Sequence, residues 1–238
     1  MSNSARLRTR AHIARPARRS LPARRAAPHE PLRADATLRT RDLALLTWLA
    51  EQYAARTDHL EQLLGCSART VQRTLARTRA AGLLETRGIL VGEPAWAIPT
   101  AAGLRITGER YPLWRPRLAL LAHVAAVNDV RLHVQRRSPA AEWVCERALA
   151  RTHGSASEHL PDGVLLHDRR SIAIEVELTV KSAKRVRKIL DELGGRYDDV
   201  AYFAAPAPHR QLTELSASGR WPKLTVRELP RRPQRVLP

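Results

Sequence analysis

The amino-acid sequence predicts an α/β fold, α+β overall, and three observations carry that prediction. Residues 43–81 place leucines at helical spacing, broken by turn residues. Residues 172–178 switch to the every-second-residue alternation of strands. Residues 181–228 then alternate helical and extended patterns.

Composition bounds the function before any motif is read. A chain of 238 residues, 44% hydrophobic, is long enough for one large core or two small ones. The formal charge is +18, from 41 basic and 23 acidic residues, so a polyanion is the expected partner. Of the basic residues 37 are Arg and four are Lys. With the abundant alanine, that skew fits a high-GC genome as well as a need for phosphate-matching guanidinium forks. Cys66 and Cys145 are too few for a disulfide framework or a Cys-rich zinc site and fit a reducing cytoplasm, the expected location. The longest apolar stretch, Leu118 to Val127, falls short of the ~20 residues that span a bilayer. The N-terminus lacks an apolar signal core, so no membrane partner is expected.

Along the chain, residues 1–40 carry ten Arg and two acids, and Pro16, Pro22, Pro28 and Pro31 interrupt any helix. This reads as a disordered Arg-rich arm that tracks phosphates. It is also similar to an organellar transit peptide, and the high-GC signature favours the bacterial arm.

Residues 41–108 form the first folded region. Leu43, Leu45, Leu46, Leu49 and Tyr53 give a helix ending before Arg56. Thr57 is placed to cap a short helix containing Leu60, Leu63 and Leu64, which Gly65 stops. Ser67 caps a third helix running to about Ala81. Ile89–Val91 and Ala95–Ile98 flank Gly92-Glu93-Pro94 as a two-stranded wing with Trp96 in its core, and residues 100–104 open another short helix. Helix, short helix, turn, longer helix and wing is the winged helix-turn-helix order.

On a helical wheel Ala68, Val71, Leu75 and Thr78 face inward, toward Leu45, Leu49, Leu60 and Leu64. Arg69, Thr70, Gln72, Arg73 and Arg77 face outward or to the flanks. Three guanidiniums, an amide and a hydroxyl suit base edges and phosphates of a major groove. Arg87 on the wing would add a phosphate or minor-groove contact. Double-stranded DNA is therefore the expected partner.

Residues 107–116 read as a junction, and residues 115–230 as a second region. A long helix spans roughly 117–136. Strands are expected near 142–148, 163–167, 172–178, 199–204 and 223–228, with helices over 181–193 and about 207–217. Gly194-Gly195 reads as a helix end.

In the strand 172–178, Glu175 and Glu177 share a face with Ala173 and Thr179. A hairpin turning at Asp168-Arg169-Arg170 sets Asp162 opposite Glu175 or Glu177, depending on register. Three carboxylates on one face suit a hard cation, Mg²⁺ or Mn²⁺, and such an ion could activate water for phosphoryl chemistry. The bland alternative pairs Glu175 and Glu177 with Lys181, Arg185 or Arg187. Sealing by Arg185 or Arg187 would count against catalysis, which needs solvent access. Cys145, His153 and His159 lack a fourth ligand at zinc spacing. Glu146 reads as a strand charge that approaches the cluster or faces solvent.

Pro161-Asp162, then Glu175-x-Glu177 on the next strand, then a helix, resembles the PD-(D/E)xK nuclease superfamily. The whole chain is similar to the plasmid replication-relaxation family, in which a winged helix precedes a restriction-endonuclease-like α/β domain. The resemblance covers about 41–215 and is densest at 159–163 and 173–182. It implies Asp162 and Glu175 as metal ligands, and Glu177, also a candidate ligand, at the position of the superfamily's lysine. Lys181 or Lys184 would supply the ammonium. It also implies action in plasmid or mobile-element replication or mobilisation, alongside proteins of that process. A noncatalytic winged-helix regulator, reading a preferred site as a homodimer, stays open beside it.

Overall fold

Leu45, Leu46, Trp48 and Leu49 make one buried face of helix α1 (Thr40–Glu51), as the leucine spacing requires. A computed structural model describes residues 38–152 and 158–231, so the basic arm, apart from its last residues, and His153 lie outside the described residues. A short strand absent from the sequence reading, β1 (Ala55–Arg56), runs directly into α2 (Thr57–Leu64). The cap of α2 is therefore Arg56, not Thr57: the Arg56 backbone N–H donates to His59 Nδ1 at 3.3 Å. Gly65 ends α2 in the left-handed conformation, φ 57°, that its missing Cβ permits. Ser67 Oγ accepts from the Thr70 amide at the start of α3 (Ala68–Ala80).

The wing consists of β2 (Leu84–Arg87) and β3 (Trp96–Pro99), paired antiparallel from Leu84↔Pro99 to Arg87↔Trp96. β1 pairs with the other edge of β3, giving the order β1-β3-β2. Residues 89–91, expected as a strand, lie instead in the loop between β2 and β3. Gly88, Gly92 at φ 79° and Pro94 break the pairing there, and Val91 stands fully exposed with no surface to cover. Thr100 caps α4 (Ala101–Ile106) through its hydroxyl.

Helix α5 (Leu118–Arg137) is followed by β4 (Glu142–Cys145), α6 (Glu146–Thr152), β5 (Gly163–His167), β6 (Arg170–Glu177), α7 (Ala183–Arg196), β7 (Asp199–Ala204), α8 (Pro206–Ala217) and β8 (Leu224–Glu228). The strand expected over 142–148 stops at Cys145. Glu146, Ala148, Leu149 and Ala150 prefer helix, and buried Arg147 reaches back to the Ala50 carbonyl at 2.6 Å. Gly194 and Gly195 lie inside α7 rather than ending it. Arg196 holds the last turn, donating to the carbonyls of Glu192 and His159.

The second sheet has the order β4-β5-β6-β7-β8, antiparallel through β6 and parallel beyond it. Val127, Val130 and Val134 of α5 cover one face, against Ile174, Val176 and Phe203. Val186, Ile189, Leu190 and Leu193 of α7 and Leu212 of α8 cover the other, against Ala173, Val200 and Tyr202. The mixed α/β class read from the sequence is thus the observed one.

Helix α5 also packs on the three-stranded wing sheet. Leu121, Val124 and Ala125 meet Trp96 and Ile98, and Leu132 joins the core of α1, α2 and α3. Polar ties follow the same seam. Asn128 Nδ2 donates to the Ala54 carbonyl at 2.9 Å, His59 Nε2 meets Asp129 Oδ1 at 3.1 Å, and Arg131 pairs with Glu51 at 2.6 Å. The described residues accordingly form one compact unit.

Candidate functional site

Two surfaces carry the candidate chemistry. The first is the outer face of α3. Val71, Thr74, Leu75 and Thr78 are buried, which turns Arg69, Gln72 and Arg73 to solvent. These three side chains make no hydrogen bond or ion pair with another described residue. Thr70 is half-buried and its hydroxyl meets Ser67 Oγ at 3.2 Å, so it serves the cap first. Arg77 differs from the others. Its Nε donates to Asp42 Oδ2 at 3.0 Å and its NH2 binds Asp42 Oδ1, which pins α3 to α1. Burial alone would raise the Asp42 carboxyl. The hydrogen bonds from Arg77 and from the Arg39 amide outweigh burial and hold it below its ordinary range. Arg87 is exposed on the wing and pairs with Glu85 at 2.9 Å.

The second surface is the end of the sheet where β5 begins and β6 finishes. The hairpin register is His167↔Arg170 through Gly163↔Ile174, which extends to Asp162 opposite Glu175. Asp168 and Arg169 turn the hairpin at φ 46° and 66°. Gly163 is required beside Asp162: a Cβ there would lie 2.2 Å from the Trp143 ring on the neighbouring strand.

Each carboxylate of the cluster is engaged. Asp162 accepts from the Val176 amide at 2.7 Å and meets His123 Nε2 at 2.8 Å. Glu175 meets His159 Nε2 at 2.9 Å, and Glu177 pairs with Lys181. Glu175 and Glu177 are only 4% and 6% exposed, so they do not open to solvent. The basic groups over them are His159 and Lys181, whereas Arg185, Arg187 and Lys184 stand exposed on α7. Glu146 does approach the cluster. It accepts from the Tyr53 hydroxyl at 3.0 Å, and its carboxyl is raised first by burial and then by the charge of Asp162.

Oxygen donors are the right chemistry for Mg²⁺ or Mn²⁺. In their present pairings each carboxylate is bound to a neighbour, and no group of three ligands able to hold a metal ion occurs among the described residues. No catalytic step through a metal is derived from this arrangement.

His123 is the site residue that the sequence reading missed. Its one signal was a histidine inside the otherwise apolar Leu118–Val127 stretch. Burial would lower its pKa, but the hydrogen bond and charge of Asp162 raise it on balance. His159 behaves alike, with Glu175 as the partner that overcomes burial. Glu175 is itself pushed up, by burial first and by Asp162 as well, against the opposing pull of His159.

These directions give a pH prediction. Folded-state pKa values of Glu175 and His159 lie above their ordinary 4.5 and 6.5, so the folded protein binds those protons more tightly than the unfolded chain. That stabilisation is fully present below the ordinary values and is lost as pH rises through the raised ones. Denaturant stability should therefore fall between about pH 5 and pH 8. Glu175→Gln should make the fall shallower, since it removes one proton site and the partner that raises the other. An unchanged slope would contradict the pairing.

No family model and no curated protein matches this chain. Among solved structures it is similar to one titled "PigF with SAH", at 18% identity and a TM-score of 0.21. The match covers 79% of this chain and spans 56% of that structure's length. So slight a likeness carries no argument about fold or function. No helix among the described residues is long and apolar enough to cross a membrane.

Proposed function

We propose that this is a duplex DNA-binding protein that inserts α3 into the major groove and sets the β2–β3 wing beside it. One observation carries the reading. Arg69, Gln72 and Arg73 project together from the exposed face of the third helix, unpaired with any described residue, on a chain of net charge +18. Guanidinium and amide groups match the acceptor and donor edges of guanine and adenine, and free ones need not surrender an existing partner to bind. The resemblance to the replication-relaxation family gives the setting: replication or mobilisation of a plasmid-like element, in the cytoplasm.

A second reading, metal-assisted cleavage of the bound DNA, is favoured by the register that sets Asp162 opposite Glu175, with Lys181 touching Glu177. It requires Asp162 and Glu175 to exchange their present partners for a cation. Supercoiled plasmid, incubated with the protein and Mg²⁺ or Mn²⁺, tests both readings. Retardation is expected for the wild type and equally for Asp162→Ala and Glu175→Ala, because binding resides on α3. Failure to retard would contradict DNA binding. Nicking by the wild type and not by either variant would establish cleavage. An intact plasmid would leave the noncatalytic regulator as the reading in force.

A further inference from the structure

Helix α7 opens with its charges at the unfavourable end. Lys184 and Arg185 stand in its first turn and Arg187 and Lys188 in its second, and the first turn holds no acid. The amino end of a helix carries partial positive charge, so cations there are unfavourable and anions favourable. The spacing adds repulsion. Lys184 and Lys188 are four residues apart, and the pairs Lys184 with Arg187 and Arg185 with Lys188 are three apart, so like charges are neighbours on the helix surface. A merely solvated face has no reason to be built this way. Local rules of this kind are broken where a function needs it.

Neighbouring acids do not relieve the repulsion. All four side chains are exposed, and Lys184, Arg185 and Arg187 pair with no acid among the described residues. Lys188 reaches Glu192 only at 3.6 Å. The acid one turn on from Arg187, Asp191, is held by Arg220 at 3.1 Å and by Trp221 Nε1 at 2.8 Å. Composition points the same way. Four of the 41 basic residues are Lys, and Lys181, Lys184 and Lys188 are three of them. An ammonium on a flexible stem is a point charge that meets a phosphate in many orientations. The four side chains offer no amide or aromatic group, so they suit a phosphate backbone and not base edges.

The position in the fold separates this face from α3. Helix α3 belongs to the winged helix, which packs against α5 on one side of the second sheet, and α7 covers the other side. We propose that the α7 face binds the phosphate backbone of a second duplex segment, so that one molecule bridges two segments of DNA. This second site presupposes duplex binding by α3. Phosphates at the start of α7 would supply the negative charge that the helix end lacks.

An immobilised duplex, loaded with the full chain and offered a short fluorescent duplex, tests the bridge, with anisotropy measuring single-duplex affinity in parallel. Arg185→Gln/Arg187→Gln/Lys188→Gln removes three charges and keeps good helix formers. The wild type should capture the second duplex. Capture by the variant should fall at least about tenfold, with three phosphate contacts gone. Its affinity for a single duplex should stay within about threefold of wild type, because α3 is intact. Its Tm should be no lower, since like charges at the positive helix end are gone. A lower Tm would mean that the cations stabilise α7, which removes the ground for the site. Duplex binding without capture by the wild type overturns the bridge and leaves α3 binding in force. Undiminished capture by the variant places the second duplex elsewhere and overturns the α7 site. Equal losses of capture and of single-duplex affinity put α7 on the same duplex as α3 and overturn the bridge. A wild type that binds no duplex contradicts DNA binding itself, and the bridge with it.

Discussion

Replacing Arg131 by alanine is expected to destabilise the protein by about 3–5 kcal/mol, the loss of a large buried side chain together with its hydrogen-bonded pair to half-buried Glu51. Arg131 is 5% exposed and pairs with Glu51 at 2.6 Å. Its guanidinium also lies 5.2 Å from the Trp48 ring and 5.8 Å from the Trp143 ring, so truncation removes cation–π contact and packing together. The position makes the loss global. Arg131 is on α5, Glu51 and Trp48 are on α1, and Trp143 is on β4, so one side chain ties α1 to the five-stranded sheet. For a chain of this size the cost corresponds to a fall in Tm of roughly 6–20 °C. Arg131→Lys should recover little of it, because an ammonium lacks the planar stacking surface. A calorimetric Tm within about a degree of wild type for Arg131→Ala would contradict the interlock.

The second large effect is on DNA. Arg69→Ala/Arg73→Ala should weaken duplex binding about 100-fold at fixed salt. Each base or phosphate contact of this kind contributes roughly 1–3 kcal/mol, and ~1.4 kcal/mol is a factor of ten. Thermal stability should be unchanged, since both side chains are exposed and bond to no described residue. Arg77→Ala gives the contrast. Removing the partner of buried Asp42 should lower stability, and any loss of binding would follow from that. Fluorescence anisotropy with a labelled duplex, read beside thermal unfolding, separates the two behaviours. Equal affinity of the double variant and the wild type would remove α3 from the interface.

Elements with a clear period were legible in the sequence. Leu45, Leu46 and Leu49 of α1, Leu60 of α2, Gly65, the Ser67 cap and Val71, Leu75 and Thr78 of α3 are local signals that appear where the pattern placed them. Leu43, by contrast, is exposed, Tyr53 lies beyond the end of α1, and Leu63 and Leu64 are only half-buried. The β5–β6 hairpin was legible to within two registers, because Asp168 and Arg169 mark a turn without fixing which residues flank it. What escaped depends on contacts distant in sequence. A two-residue strand such as β1 has no period of its own and exists because β3 offers an edge. The helix α6 replaces the tail of an expected strand because Arg147 anchors there to the Ala50 carbonyl, about a hundred residues away in the chain. The partners of the carboxylates divide in the same way. Lys181 sits four residues after Glu177 and was on the list of candidates, whereas His123 reaches Asp162 from another helix and could not be placed by spacing.

The most direct test of the central claim is the affinity of the wild-type protein for a short duplex as a function of salt. Binding through the α3 face and the wing predicts measurable affinity at low salt that falls linearly in log–log form. About 6–10 phosphate contacts would lower it by ~10³–10⁵ between 50 and 200 mM salt. An affinity absent at 50 mM, or indifferent to salt across that range, would contradict the account.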